Sequence, residues 1–96
     1  MSIEEFNEAV MKVNWLTENG LGWRFYPTEG FIRIVNDGQQ IHPYTIGEID
    51  GVIYFADFQN GRDFKVELSV DRQTLTLFTR TPIVLTAIAK PAKSKY

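Results

Sequence analysis

The chain has 96 residues, 44% hydrophobic and 14% aromatic, and carries a formal net charge of −2 at pH 7, which fits one domain around one modest core. Having no cysteine, it is excluded from disulfides, thiolate catalysis and cysteine-based metal sites, and its single histidine excludes any site needing two. Met1–Glu5 lacks the basic and apolar regions of a signal peptide, and no apolar run approaches the roughly 18 to 20 residues that span a bilayer.

Ser2 and Glu5 stand at capping-box spacing, and Ile3, Phe6, Val10 and Val13 follow at helical spacing. This predicts an amphipathic helix over 3–14, with Glu4, Glu5 and Glu8 suited to its positive end. Beyond Asn19-Gly20 the chain is punctuated by Asp37-Gly38, Asp50-Gly51, Asn60-Gly61 and Asp71-Arg72-Gln73. Asp-Gly and Asn-Gly are hairpin signals because both residues tolerate the positive φ of tight turns. Strands are predicted at 22–27, 30–36, 40–47, 51–58, 64–70, 74–80 and 82–89. A two-residue Asp37-Gly38 turn sets Ile34 opposite Ile41 and Arg33 opposite His42. A five-residue loop over 59–63 sets Phe58 opposite Phe64, and a loop over 71–74 sets Val70 opposite Leu75. Pattern and register place Trp23, Phe25, Ile32, Ile34, Tyr54, Phe64, Val66, Leu68, Val70, Leu75 and Leu77 in the core.

The fold class is therefore α+β, mainly antiparallel β: an N-terminal helix followed by a curved, six- to seven-stranded up-and-down meander, as a half-barrel or small barrel. Residues 1–89 form a single globular domain, and 90–96, with Lys90, Lys93 and Lys95, form a basic flexible tail. Helix packing would cover the open side of the sheet; a homodimer through a sheet edge or face would do the same.

Sequence motifs of catalysis are missing: there is no GxGxxG, Walker loop, HExxH or nucleophile elbow. Asp57 and Asp63 read as solvated loop acids, and His42, beside Arg33 and Tyr44, reads as a half-exposed strand histidine. The informative set is the face opposite the expected core, carrying Arg24, Tyr26, Phe31, Arg33, His42, Tyr44, Phe55, Phe78 and Arg80. A face meant only for water carries Lys, Glu and Thr; this one mixes aromatics with arginines, the composition of binding hot spots. The expected function is a non-enzymatic binding module for a protein partner or small ligand, in the manner of a stand-alone inhibitor or accessory protein. The alternative is single-stranded nucleic-acid binding, with Tyr26, Phe31 and Tyr44 stacking on bases and the arginines and tail lysines on phosphates. No cofactor, metal or membrane enters either reading, and the expected location is cytoplasmic.

The short N-terminal helix, Gly22-Trp23 near the first strand, the Asp-Gly turns and the late segment Leu68-Ser-Val-Asp-Arg-Gln-Thr-Leu-Thr-Leu77 together resemble small lipocalin-like proteins over residues 15–80. The resemblance implies a curved sheet around a small ligand pocket or a protein-binding concavity.

Overall fold

The computed structural model describes residues 1–35 and 38–88. A helix, α1 (Ile3–Met11), leads into nine strands: β1 (Asn14–Leu16), β2 (Gly22–Tyr26), β3 (Phe31–Val35), β4 (Gln39–Pro43), β5 (Thr45–Ile49), β6 (Val52–Ala56), β7 (Phe64–Leu68), β8 (Thr74–Leu77) and β9 (Ile83–Ile88). A single 3-10 turn, Phe58–Asn60, interrupts the connection from β6 to β7. Among the described residues no helix is long and apolar enough to cross a membrane.

The capping box forms as its residues dictate. Ser2 Oγ accepts from the Glu5 amide (3.1 Å), and Glu5 Oε1 accepts from the Ser2 amide (3.3 Å). That backbone hydrogen bond holds the Glu5 carboxyl below its ordinary value. The apolar stripe buries Phe6, Ala9 and Val10. The helix stops at Met11 rather than 14, because Asn14, Trp15 and Leu16 form β1 between β2 and β9. Trp15 fastens the two elements together: its indole Nε1 donates to the Val10 carbonyl at the helix end (3.0 Å).

All ladders are antiparallel, in the order β4-β3-β2-β1-β9-β8-β7-β6-β5. The two ends of that order are consecutive in the chain, with Tyr44 alone between them. An even number of reversals separates β4 from β5, so they run in the same sense, as halves of one bent strand. No ladder joins them among the described residues, so the sheet curls without hydrogen-bonded closure. The antiparallel meander with an N-terminal helix is as expected. Its strand count is higher because the expected strand 40–47 breaks at Tyr44 and because Asn14–Leu16, at and beyond the end of the expected helix, forms a strand.

The concave side is filled by rings. Phe6, Trp15, Trp23, Phe25, Tyr44, Phe55, Phe58 and Phe64 are all buried in one cluster with Val10, Ile32, Ile34, Ile53, Val66, Leu75, Leu77 and Leu85. Phe55 lies at the centre, 5.8 Å from Phe6, 6.2 Å from Phe25, 4.7 Å from Tyr44 and 5.9 Å from Phe64 between ring centroids. Offset and edge-to-face arrangements of this kind add to the apolar burial.

Several registers differ from expectation. Val35 pairs with Gln39, leaving three residues between β3 and β4 where two were expected; Asn36 and Asp37 lie outside the described residues, as does the tail expected over 90–96. Arg33 is therefore opposite Ile41, and His42 opposite Ile32. Phe64 is opposite Phe55 rather than Phe58, which is carried inward on the 3-10 turn. Leu75 is opposite Leu68, a two-residue slip that keeps both faces but leaves Val70 fully exposed instead of in the core. The cause is turn chemistry. Ser69 Oγ donates to Asp71 Oδ1 (2.7 Å), the Gln73 amide donates to the same oxygen (3.0 Å), and the Thr74 amide donates to Ser69 Oγ (3.0 Å). These bonds pull Ser69 and Val70 out of the strand and into the turn.

Candidate functional site

The structure divides the nine expected site residues among three environments. The first is the interior. Phe55 is fully buried and Tyr44 nearly so, which corrects their assignment to the outer face. β6 presents Ile53 and Phe55 inward and leaves Tyr54 half-buried on the other side, the reverse of the expected order. His42 also turns inward, its ring 5.6 Å from Phe58, with Nε2 donating to Gln40 Oε1 (3.2 Å). His42 and Tyr44 do share a face, but it is the inner one.

The second environment is the outer face of β2 and β3, where Arg24, Tyr26, Phe31 and Arg33 come together. Arg24 lies directly opposite Arg33, and Tyr26 opposite Phe31. The Tyr26 and Phe31 rings stack with centroids 4.8 Å apart. Partial burial works to raise the Tyr26 phenol, but hydrogen bonding and charge from Arg33 and then Arg24 outweigh it and hold the group below the ordinary tyrosine value. The Arg33 Nε is buried without a hydrogen-bond partner. Among the described residues the ion pairs are Lys12–Glu8 and Lys65–Glu67, so neither Arg24 nor Arg33 has a carboxylate within reach.

Sequence reasoning missed two members of this patch. Ile41, 58% exposed, occupies the place expected for His42, and Val35 is exposed beside it. The residue between β3 and β4 beyond the expected two reverses the parity of β4, and only Gln39-Gln40, polar on both parities, could have hinted at it.

The third environment holds Phe78 and Arg80. They line a cleft of about 760 Å³ with Phe58, Phe64, Arg62 and Asp63. The cleft lies where β6 ends and β7 begins, away from the β5–β6 turn, whose Gly51 carbonyl accepts from the N-terminus of the chain. Phe78 projects from the end of β8, and Lys65 Nζ sits 4.7 Å over its ring. Among the described residues no group of three His, Cys, Asp or Glu side chains could hold a metal ion.

Compared with protein-family models, with curated proteins and with solved structures, the chain matches none.

Proposed function

We propose that this protein is a non-enzymatic binding module that docks an acidic segment of a protein partner on the outer face of β2, β3 and β4. One observation carries the reading: Arg24 and Arg33 are cross-strand neighbours around the Tyr26–Phe31 stack, with no carboxylate partner among the described residues. Like charges directly opposite one another cost stability in a sheet, and a buried guanidinium nitrogen without a partner costs more. An acidic partner relieves the repulsion between the two arginines, since guanidinium forks match carboxylates in bidentate geometry. The stacked rings and exposed Ile41 and Val35 supply the apolar area that hot spots need. A lipocalin-like kinship accords with this reading, in which a curved sheet serves as a binding scaffold.

The test is fluorescence anisotropy with a labelled decapeptide rich in glutamate and phenylalanine, beside a labelled oligothymidylate. The peptide is expected to bind, and Arg24→Gln and Arg33→Gln are each expected to weaken it at least roughly fivefold. Neither variant should lower the melting temperature, because each relieves the arginine–arginine repulsion. Tighter binding of oligothymidylate, falling steeply with salt, would replace the protein-partner reading with the nucleic-acid one.

A further inference from the structure

The cleft between the 57–63 and 78–82 connections shares no residue with the β2–β3–β4 face, and we propose that it is a binding site for a small aromatic anion. Its volume of about 760 Å³ falls in the range of small-molecule sites, roughly 300–1,000 Å³. Phe58 and Phe64 form its floor, both buried and 6.2 Å apart between centroids. Phe78 is 41% exposed at its rim, an apolar ring left in water although its backbone is fixed by the bond from its amide to the Lys65 carbonyl (2.9 Å). Arg62 and Arg80 reach the cleft from two separate connections, and neither has a carboxylate at ion-pair distance among the described residues. Asp63 is the one acid of the lining, so the three ionised groups leave net positive charge.

The backbone supports the shape. Asp57 (φ 61°) and Gln59 (φ 54°) are both in the left-handed region that non-glycine residues occupy at a cost. Those two residues flank Phe58 and turn its ring into the floor, so local strain goes into shaping the cleft rather than into a strand. A ligand with an aromatic ring gains the phenylalanine contacts, and one with a phosphate or carboxylate gains the guanidiniums. Only a molecule with both gains the two together.

Isothermal titration of the full chain with phenyl phosphate, inorganic phosphate and phenol tests this. Phenyl phosphate is expected to saturate a single site at least roughly tenfold more tightly than either fragment. Arg62→Gln and Arg80→Gln are expected to weaken it several-fold each, and Phe78→Ala to bring it down to the level of inorganic phosphate. All three residues are exposed, so an unchanged melting temperature confirms that the variants fold. Arg33→Gln, on the other face, should leave phenyl phosphate binding unaltered, which separates this site from the one proposed for a protein partner. The proposal fails if phenyl phosphate gives no saturable heat at millimolar concentration. It also fails if the Arg62→Gln/Arg80→Gln double variant binds like wild type, or if Arg33→Gln weakens binding as much as Arg80→Gln.

Discussion

Tyr44 should be the position at which a single atom can be removed and the protein made more stable. Its ring is 7% exposed and packs between Phe25 (6.3 Å) and Phe55 (4.7 Å), while its hydroxyl is buried without a hydrogen-bond partner. A buried polar group left unpaired costs about 1–3 kcal/mol, and Tyr44→Phe keeps the ring contacts while removing that cost. The expected gain is about 1–2 kcal/mol at pH 7, or roughly 4–8 °C in melting temperature per kcal/mol for a domain of this size. Alkaline pH provides a second arm. Burial pushes the Tyr44 phenol up to about 12 from an ordinary 10.0, so the folded state favours the neutral form. A folded-state value raised in this way gives stability that is full below pH 10 and is lost as the pH rises through 12. At pH 11 the wild type should have lost about 1.4 kcal/mol relative to Tyr44→Phe, and groups common to both proteins cancel in the comparison. Urea unfolding of the two proteins at pH 7, 10 and 11 measures both effects. A variant less stable than wild type at pH 7 would mean that the hydroxyl has a partner. A wild-type-to-variant difference that stays flat from pH 7 to 11 would mean that the phenol is solvated.

Phe55→Ala should behave as a core truncation rather than a binding mutation, costing about 3–5 kcal/mol, a large share of the about 5–15 kcal/mol typical of a domain; near-wild-type melting would return Phe55 to the surface. Asp71→Ala should loosen the β7–β8 turn, since the carboxylate accepts from both Ser69 and Gln73. The Ser69 hydroxyl and the Gln73 amide hold that carboxyl below its ordinary 3.8, so its contribution is present above pH 3.8 and vanishes as the pH falls through the lower folded value. Thermal melts of both proteins from pH 6 to 2 should therefore converge at the acid end, and parallel curves would show that the hydrogen bonds seen here add nothing.

The helix cap, the Asp50-Gly51 turn and the alternation of Phe64-Lys65-Val66-Glu67-Leu68 were legible because each is a local rule with a strong signature. Asp50 (φ 52°) and Gly51 (φ +82°) adopt the paired positive φ values that an Asp-Gly hairpin turn demands, and Ile49 pairs with Val52 across it. What could not be read was parity. Val52-Ile53-Tyr54-Phe55 is apolar at every position, so period two is silent and the face is set only by the register with β7. Likewise Ile41 and His42 exchange faces with the length of the connection before them, a matter of one residue. Arg24, Tyr26, Phe31 and Arg33 came out together because Gly22–Tyr26 and Phe31–Val35 alternate strongly and their register holds. The bend at Tyr44 follows Pro43, the residue that closes β4. The Tyr44 amide still donates to the Gly30 carbonyl (3.1 Å), one rung beyond the Phe31–Pro43 pair of the β3–β4 ladder.

The aromatic content is high, 14% of the chain, and the core accounts for most of it. Eight rings are buried together, and the core needs them because a small curled sheet with one short helix has few other ways to fill its concave side. The rings that the core leaves over are the informative ones. Among the described residues these are Tyr26, Phe31, Tyr54 and Phe78. Tyr26 sits under two arginines with Phe31 stacked on it, and Phe78 lies under Lys65 beside Arg62 and Arg80. Packing explains these pairings only in part, since Phe78 stays 41% exposed and the Arg24 and Arg33 guanidiniums, on residues directly opposite one another, repel. Ring and cation recur together at two places that share no residue, one a sheet face broad enough for a chain segment and the other a cleft the size of a small molecule. The two proposals assign a separate ligand of negative charge to each, and Arg33→Gln and Arg80→Gln, each expected to be blind to the other's ligand, are the variants that test them.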